Sequence, residues 1–208
     1  MKIQKKAKYD YESNGITEEN GYKKWFDWEK TSKPVRFIGI AITVLIFVMG
    51  RIFKDELQVY GKPSIVIVTL SALAVLLVIV VPIHEIIHLL VMSKGKLDDK
   101  CVLTAGGGAV SAIYNGHISR NRQIVCFILP CAVFALIFTS AVVFSHGLLK
   151  IFFIYLLVMS LISSYTDIYM TVYTFKHVEK NEEVFGIYKR KIIRSSNLSC
   201  DYSSRDGQ

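Results

Sequence analysis

The sequence predicts an all-α polytopic membrane protein with about four transmembrane helices and a small β-hairpin or re-entrant loop between helices 2 and 3. Three observations carry this. The chain is 52% hydrophobic over 208 residues, yet its formal net charge is +8. The charge gathers at the ends and in the loops, the pattern of an integral membrane protein with basic cytoplasmic segments. The apolar residues gather in long runs such as SIVIVTLSALAVLLVIV. A soluble nucleic-acid binder interleaves its charge with its apolar residues, so nucleic acid is excluded as a partner.

Residues 1–34 are a polar, basic and aromatic segment. MKIQKKAKYD is basic, but no short apolar stretch follows it before Pro34, so no cleaved signal peptide is expected. YKKWFDWEK (22–30) mixes Lys with Trp25, Phe26 and Trp28, as an anchor at a membrane surface does. The first span is expected over 37–53. Its strictly apolar part is short, and Arg36 and Arg51 would snorkel to the two interfaces. The second runs from Ser64 to Met92, with Pro82 kinking it shortly before His88.

Residues 93–122 form a glycine-containing linker. Its TAGGGAVSAIYNG has short alternating pieces beside glycines, which read as a hairpin or re-entrant loop, or as an ordinary flexible loop. AGGGAV lacks the ending of a phosphate loop. The third span is IVCFILPCAVFALIFTSAVVF (124–144) and the fourth IFFIYLLVMSLISSYTDIYMTVYTF (151–175). The tail, 176–208, is charged and then Ser-rich, with disorder expected at its end. Of the 25 Lys and Arg, 21 fall on the side of both termini and the linker and 4 on the other. The positive-inside rule then puts both termini and residues 93–122 in the cytoplasm. The cysteines show no CxxC pair and read as packing residues or free thiols.

The chemistry lies in His84-Glu85-Ile86-Ile87-His88. On a helix, His84 and His88 are one turn apart and share a face, so two neutral imidazoles can converge on one Zn²⁺. Glu85 projects about 100° away around the helix. It can reach a water beside the ion without ligating it, the general-base role of this motif. Ionisable groups in a span default to function. The structural alternative is a helix end that has already left the bilayer. A catalytic zinc takes three protein ligands, and the continuation LLVMSK excludes a third His at metzincin spacing. Asp167 is the one carboxylate in the fourth span. It shares a helix face with Ser160, Ser164, Thr171 and Thr174. At ~1.5 Å per residue, Asp167 lies about 24 Å and His84 about 30 Å along their spans, near one edge of the bilayer core. The tail residues Glu179, Glu182 and Glu183 are alternative ligands, and a structural role for Asp167 is another reading. His117, His146 and His177 lie in or beside loops and lack ligand spacing.

With HEIIH at the end of a span, YNGHISRNRQIVCFILPCAV leading into a Pro-containing span and a later Asp, the chain resembles the site-2-protease clan of intramembrane zinc metalloproteases. It looks most like a compact bacterial branch described as putative zincin peptidases. The resemblance covers roughly 81–175. It implies zinc on His84, His88 and Asp167, catalysis by Glu85, and substrates that are transmembrane or membrane-adjacent segments, paired as unwound strands with an exposed edge. The clan's acidic motif has Gly directly after its Asp, often with Asn-Pro before it; here the text is SSYTDIYM.

The expectation is therefore a four-span metalloprotease domain over 35–175 between a cytoplasmic segment (1–34) and a cytoplasmic tail (176–208). It would sit in the cell membrane and hydrolyse peptide bonds near the cytoplasmic face. Its cofactor would be Zn²⁺ and its partners the lipid bilayer and a membrane protein or peptide substrate. The alternative is a non-catalytic metal-binding membrane protein: a sensor, a transporter subunit or a pseudoprotease partner.

Overall fold

The structure, a computed structural model, describes residues 1–4, 9, 11, 13–26, 44, 48, 51–55, 59–61, 64–106 and 109–192. The first expected span, 37–53, lies for the most part outside them. Trp28 and the Ser-rich end of the tail also lie outside the described residues.

Among the described residues, three helical stretches are long and apolar enough to cross a membrane: Val66–Met92, Arg120–Phe144 and Gly147–His177. The first is built from α1 (Ser64–Val75), a widened π-helical turn (Leu76–Val80) and α2 (Val81–Met92). Pro82 has no N–H for the carbonyl four residues back, and the turn before it widens so that the Val81 N–H bonds Leu76 O instead. This resets the register immediately before His84. At the far end, Lys94 and Gly95 take positive φ (57° and 80°) and the Gly95 N–H closes on Leu90 O at 2.7 Å, a C-terminal cap that turns the chain out of the helix.

The second stretch is α3 (Arg120–Phe144), with Pro130 inside it. The third is broken at Ser164 into α4 (Gly147–Ser163) and α5 (Tyr165–His177). The hydroxyl of Ser164 turns back to donate to Ser160 O at 3.0 Å, a local bond that competes with helix continuation. Helix α3 packs against α2, α4 and α5. The main core is apolar: Val68, Ala72, Leu76 and Val80 meet Phe134, Phe138, Tyr155, Leu156 and Met159. The outward faces are apolar too, with Val66, Leu70, Val78, Leu136 and Phe144 all exposed. Apolar surface on this scale is stable against lipid and costly against water.

Two sheets overturn the all-α expectation. In the first, β3 (Cys101–Gly106) and β4 (Ala109–Tyr114) form an antiparallel hairpin, and β1 (Lys2–Gln4) adds in parallel to β3, in the order β1-β3-β4. The second has the order β2-β7-β6-β5, from β2 (Lys23–Lys24), β5 (Ile118–Ser119), β6 (Glu182–Phe185) and β7 (Tyr188–Lys191). The β3–β4 hairpin falls where the sequence suggested one, whereas the N-terminal segment and the tail are sheet because they find partners far along the chain: β1 pairs with β3, and β2 with β7. The β6–β7 turn holds Gly186 at φ +55°, where a Cβ would meet the Tyr11 hydroxyl at 2.8 Å.

Trp25 and Phe26 are likewise not a surface anchor. They are 7% and 4% exposed and pack with Val178 and Val184 against Tyr169, Met170 and Tyr173 of α5. The second sheet thereby caps the end of the bundle where α3 begins and α5 ends.

Candidate metal centre

His84 and His88 sit one turn apart on α2, and their rings meet edge to face at 4.7 Å. Asp167 lies in the first turn of α5, because the break at Ser164 starts a new helix at Tyr165, two residues before it. A helix N-terminus carries partial positive charge, which offsets part of the cost of a carboxylate in an apolar bundle. The Asp167 Oδ2 stands 2.7 Å from His84 Nε2 and 3.5 Å from His88 Nε2. Thus two imidazole nitrogens from one helix and one carboxylate oxygen from another converge. The potential ligand atoms of His84, His88 and Asp167 lie within 4.8 Å of one another, the one such group among the described residues.

The neighbours fix the rings. His88 is buried, and its Nδ1 lies 2.9 Å from the carbonyl oxygen of Cys126 on α3. A carbonyl only accepts, so Nδ1 carries a proton, and Nε2 is the ring nitrogen turned toward Asp167. The His84 ring stacks on Phe134, at 6.3 Å and 4° between planes. Glu85 is not one of these three, and it accepts a 2.7 Å hydrogen bond from the Ala112 N–H of β4. The hairpin therefore stands against α2 and holds the carboxylate beside the two histidines.

The donor set fits zinc. Two neutral imidazoles and one carboxylate are the three protein ligands of a catalytic site that keeps a fourth position open. The polar face of the fourth expected span turns inward at the same place. Ser160, Ser164, Asp167 and Thr174 are all buried.

The alternative tail ligands go elsewhere. Glu182 accepts hydrogen bonds from Lys189 Nζ at 2.9 Å and the Glu179 N–H at 2.7 Å. Burial pushes its pKa up, but Lys189, the Glu179 amide and the charge of Lys191 outweigh that and hold it below the usual glutamate value. Glu183 pairs with Arg190 at 2.7 Å. His117 lies 3.7 Å from Glu183 and is held below the ordinary histidine pKa, first by burial and then by the Arg190 and Lys100 charges. His177 stacks on Tyr173, and His146 precedes α4 at the opposite end of α3. None of these joins His84, His88 and Asp167.

Two participants escaped the sequence: the Ala112 amide and the Cys126 carbonyl. Both are backbone groups, and no side chain announces them.

Residues 77–181, 105 of the 208, match the family model described as "Putative zincin peptidase". That family suggests a metallopeptidase and implies zinc. No curated protein and no solved structure matches the chain. With the HEIIH helix, its two imidazoles and Asp167 all inside the matched region, the chain belongs to the putative zincin peptidase family.

Proposed function

We propose that the protein is a membrane-embedded zinc metalloprotease that hydrolyses peptide bonds of transmembrane or membrane-adjacent segments near the cytoplasmic face. The convergence of His84, His88 and Asp167 supports this most strongly. It lies between helices long and apolar enough to cross a bilayer. The relation to the site-2-protease clan is part of the same proposal and rests on the sequence motifs.

His84, His88 and Asp167 would hold the ion. Zinc bound there supplies Lewis-acid polarisation of the scissile carbonyl and of a water. Glu85 takes a proton from that water as its oxygen adds to the carbonyl carbon. It returns the proton to the nitrogen as the C–N bond breaks. The Ala112 N–H occupies Glu85 Oε2, which orients the carboxylate and leaves its other oxygen for the transfer. Among the described residues strand β4 is an edge of its sheet, so an unwound substrate segment can pair along it next to Glu85.

Replacing Glu85 by Gln tests the chemistry. The amide cannot take the proton, while the three ligands remain. Zinc is expected to stay and cleavage of a membrane substrate to fall at least ~100-fold, the usual worth of a general base. Full activity of purified Glu85→Gln would overturn this mechanism and require a different base.

Orientation is part of the proposal, with both termini and residues 93–122 in the cytoplasm, as the distribution of Lys and Arg supports. A single cysteine at Lys100, on a background without native thiols, should resist an impermeant reagent added to intact cells. Its labelling from outside would invert the topology.

A further inference from the structure

Pro130 sits inside α3 and is fully buried. In an α-helix each N–H bonds the carbonyl four residues back. Proline has no N–H, and four residues before Pro130 is Cys126. The Cys126 carbonyl therefore has no α-helical partner within α3. It is also the oxygen that His88 Nδ1 reaches at 2.9 Å. The acceptor that Pro130 releases and the ring that uses it are one contact.

We infer that Pro130 is a positioning residue for the metal centre: by withholding one N–H, it frees the Cys126 carbonyl to hold His88 with Nε2 turned to the site. This rests on the metal-centre reading above. Three further facts support it. His88 is buried, so water does not readily serve as the alternative acceptor. The other candidate near Nδ1 is the Cys126 thiol at 3.3 Å, and sulfur is a weak acceptor. Arg122 of α3 also donates to Met92 O at 3.2 Å, which fixes α2 against α3 beyond the contact. Outer partners of this type orient ligating histidines, and their loss costs about 10–100-fold in metal affinity.

Two variants separate the missing N–H from the shape of the ring. Pro130→Ala restores an N–H that closes the helical bond to Cys126 O and competes with His88. Pro130→lactic acid, introduced by nonsense suppression, replaces the ring by an ester with neither ring nor N–H. Zinc affinity of the full chain in detergent should fall about 10–100-fold in Pro130→Ala and stay within about 3-fold of wild type in the ester variant. ¹⁵N spectra of protein labelled at histidine should show His88 Nδ1 protonated and hydrogen-bonded in wild type and the ester, and that hydrogen bond weakened in Pro130→Ala.

Unchanged affinity and an unchanged His88 Nδ1 hydrogen bond in Pro130→Ala would overturn the inference. So would a loss in the ester variant as large as that in Pro130→Ala, and this arm decides alone if Pro130→Ala does not fold. A wild-type protein that binds no zinc would defeat the metal centre. The His88 Nδ1 hydrogen bond would still decide the role of Pro130.

Discussion

The two ends of the helix bundle are held together by different means. At one end α1, α3 and α4 meet through Val68, Ala72, Phe138, Tyr155 and Leu156, side chains with almost no polar content. At the other, α2, α3 and α5 meet through an Asp167 oxygen shared by two imidazoles, a His88–carbonyl bond and an Arg122–carbonyl bond. The apolar end tolerates changes that conserve volume. The polar end does not, because a buried group that loses its partner bears the full cost of desolvation. The lesson is that the fold can be weakened without touching the site, whereas a change at the site also costs the fold some stability.

Leu156→Ala breaks the comparison at the apolar end and should have the largest effect on stability. Leu156 is 1% exposed, and the cavity should cost about 2 kcal/mol or more. Thermal unfolding in detergent would show it, with zinc content per folded chain unchanged. A loss of zinc at full folding would mean that the two ends are coupled.

The smallest effect belongs to the second sheet, which neither end contains. Glu182 has a folded pKa below its ordinary value of 4.5. Its contribution is therefore fully present above that value and is lost as pH falls through the lower folded pKa. The pair with Lys189 is partly exposed, so the effect should be on the order of 1 kcal/mol or less. Hydrogen exchange of the β6–β7 hairpin should speed up as pH falls below 4.5, after correction for intrinsic rates. Glu182→Gln should flatten that change. An identical profile in the variant would remove Glu182 from the account.

The sequence made the polar end easier to read than the sheets. His84, His88 and Asp167 stand out because each is an ionisable residue in an apolar run, and helical periodicity fixes which face each takes. The two sheets carry no such contrast. Their strands are two to six residues long, and one of them, YKRK, is almost wholly cationic. Apart from the β3–β4 hairpin, whose glycines and alternation suggested it, such strands become legible only when a partner is known. For β2 the partner is β7, on the far side of all three helical stretches. Trp25 and Phe26 misled for the same reason. Beside lysines they resemble an interfacial anchor, and only the fold of residues 178–187 turns them inward. Glu85 was legible as a carboxylate near the histidines, but the Ala112 amide that orients it was not.

Zinc content per chain in detergent-purified variants tests the centre most directly. Asp167 supplies the one carboxylate oxygen that faces both imidazoles. Asp167→Ala should therefore lose most of its zinc and all activity while remaining folded. A triple replacement of Glu179, Glu182 and Glu183 by Gln should keep about one zinc per chain, the stoichiometry of a single three-ligand site. Wild-type zinc in Asp167→Ala, together with loss in the triple variant, would contradict the account and move the third ligand to the tail.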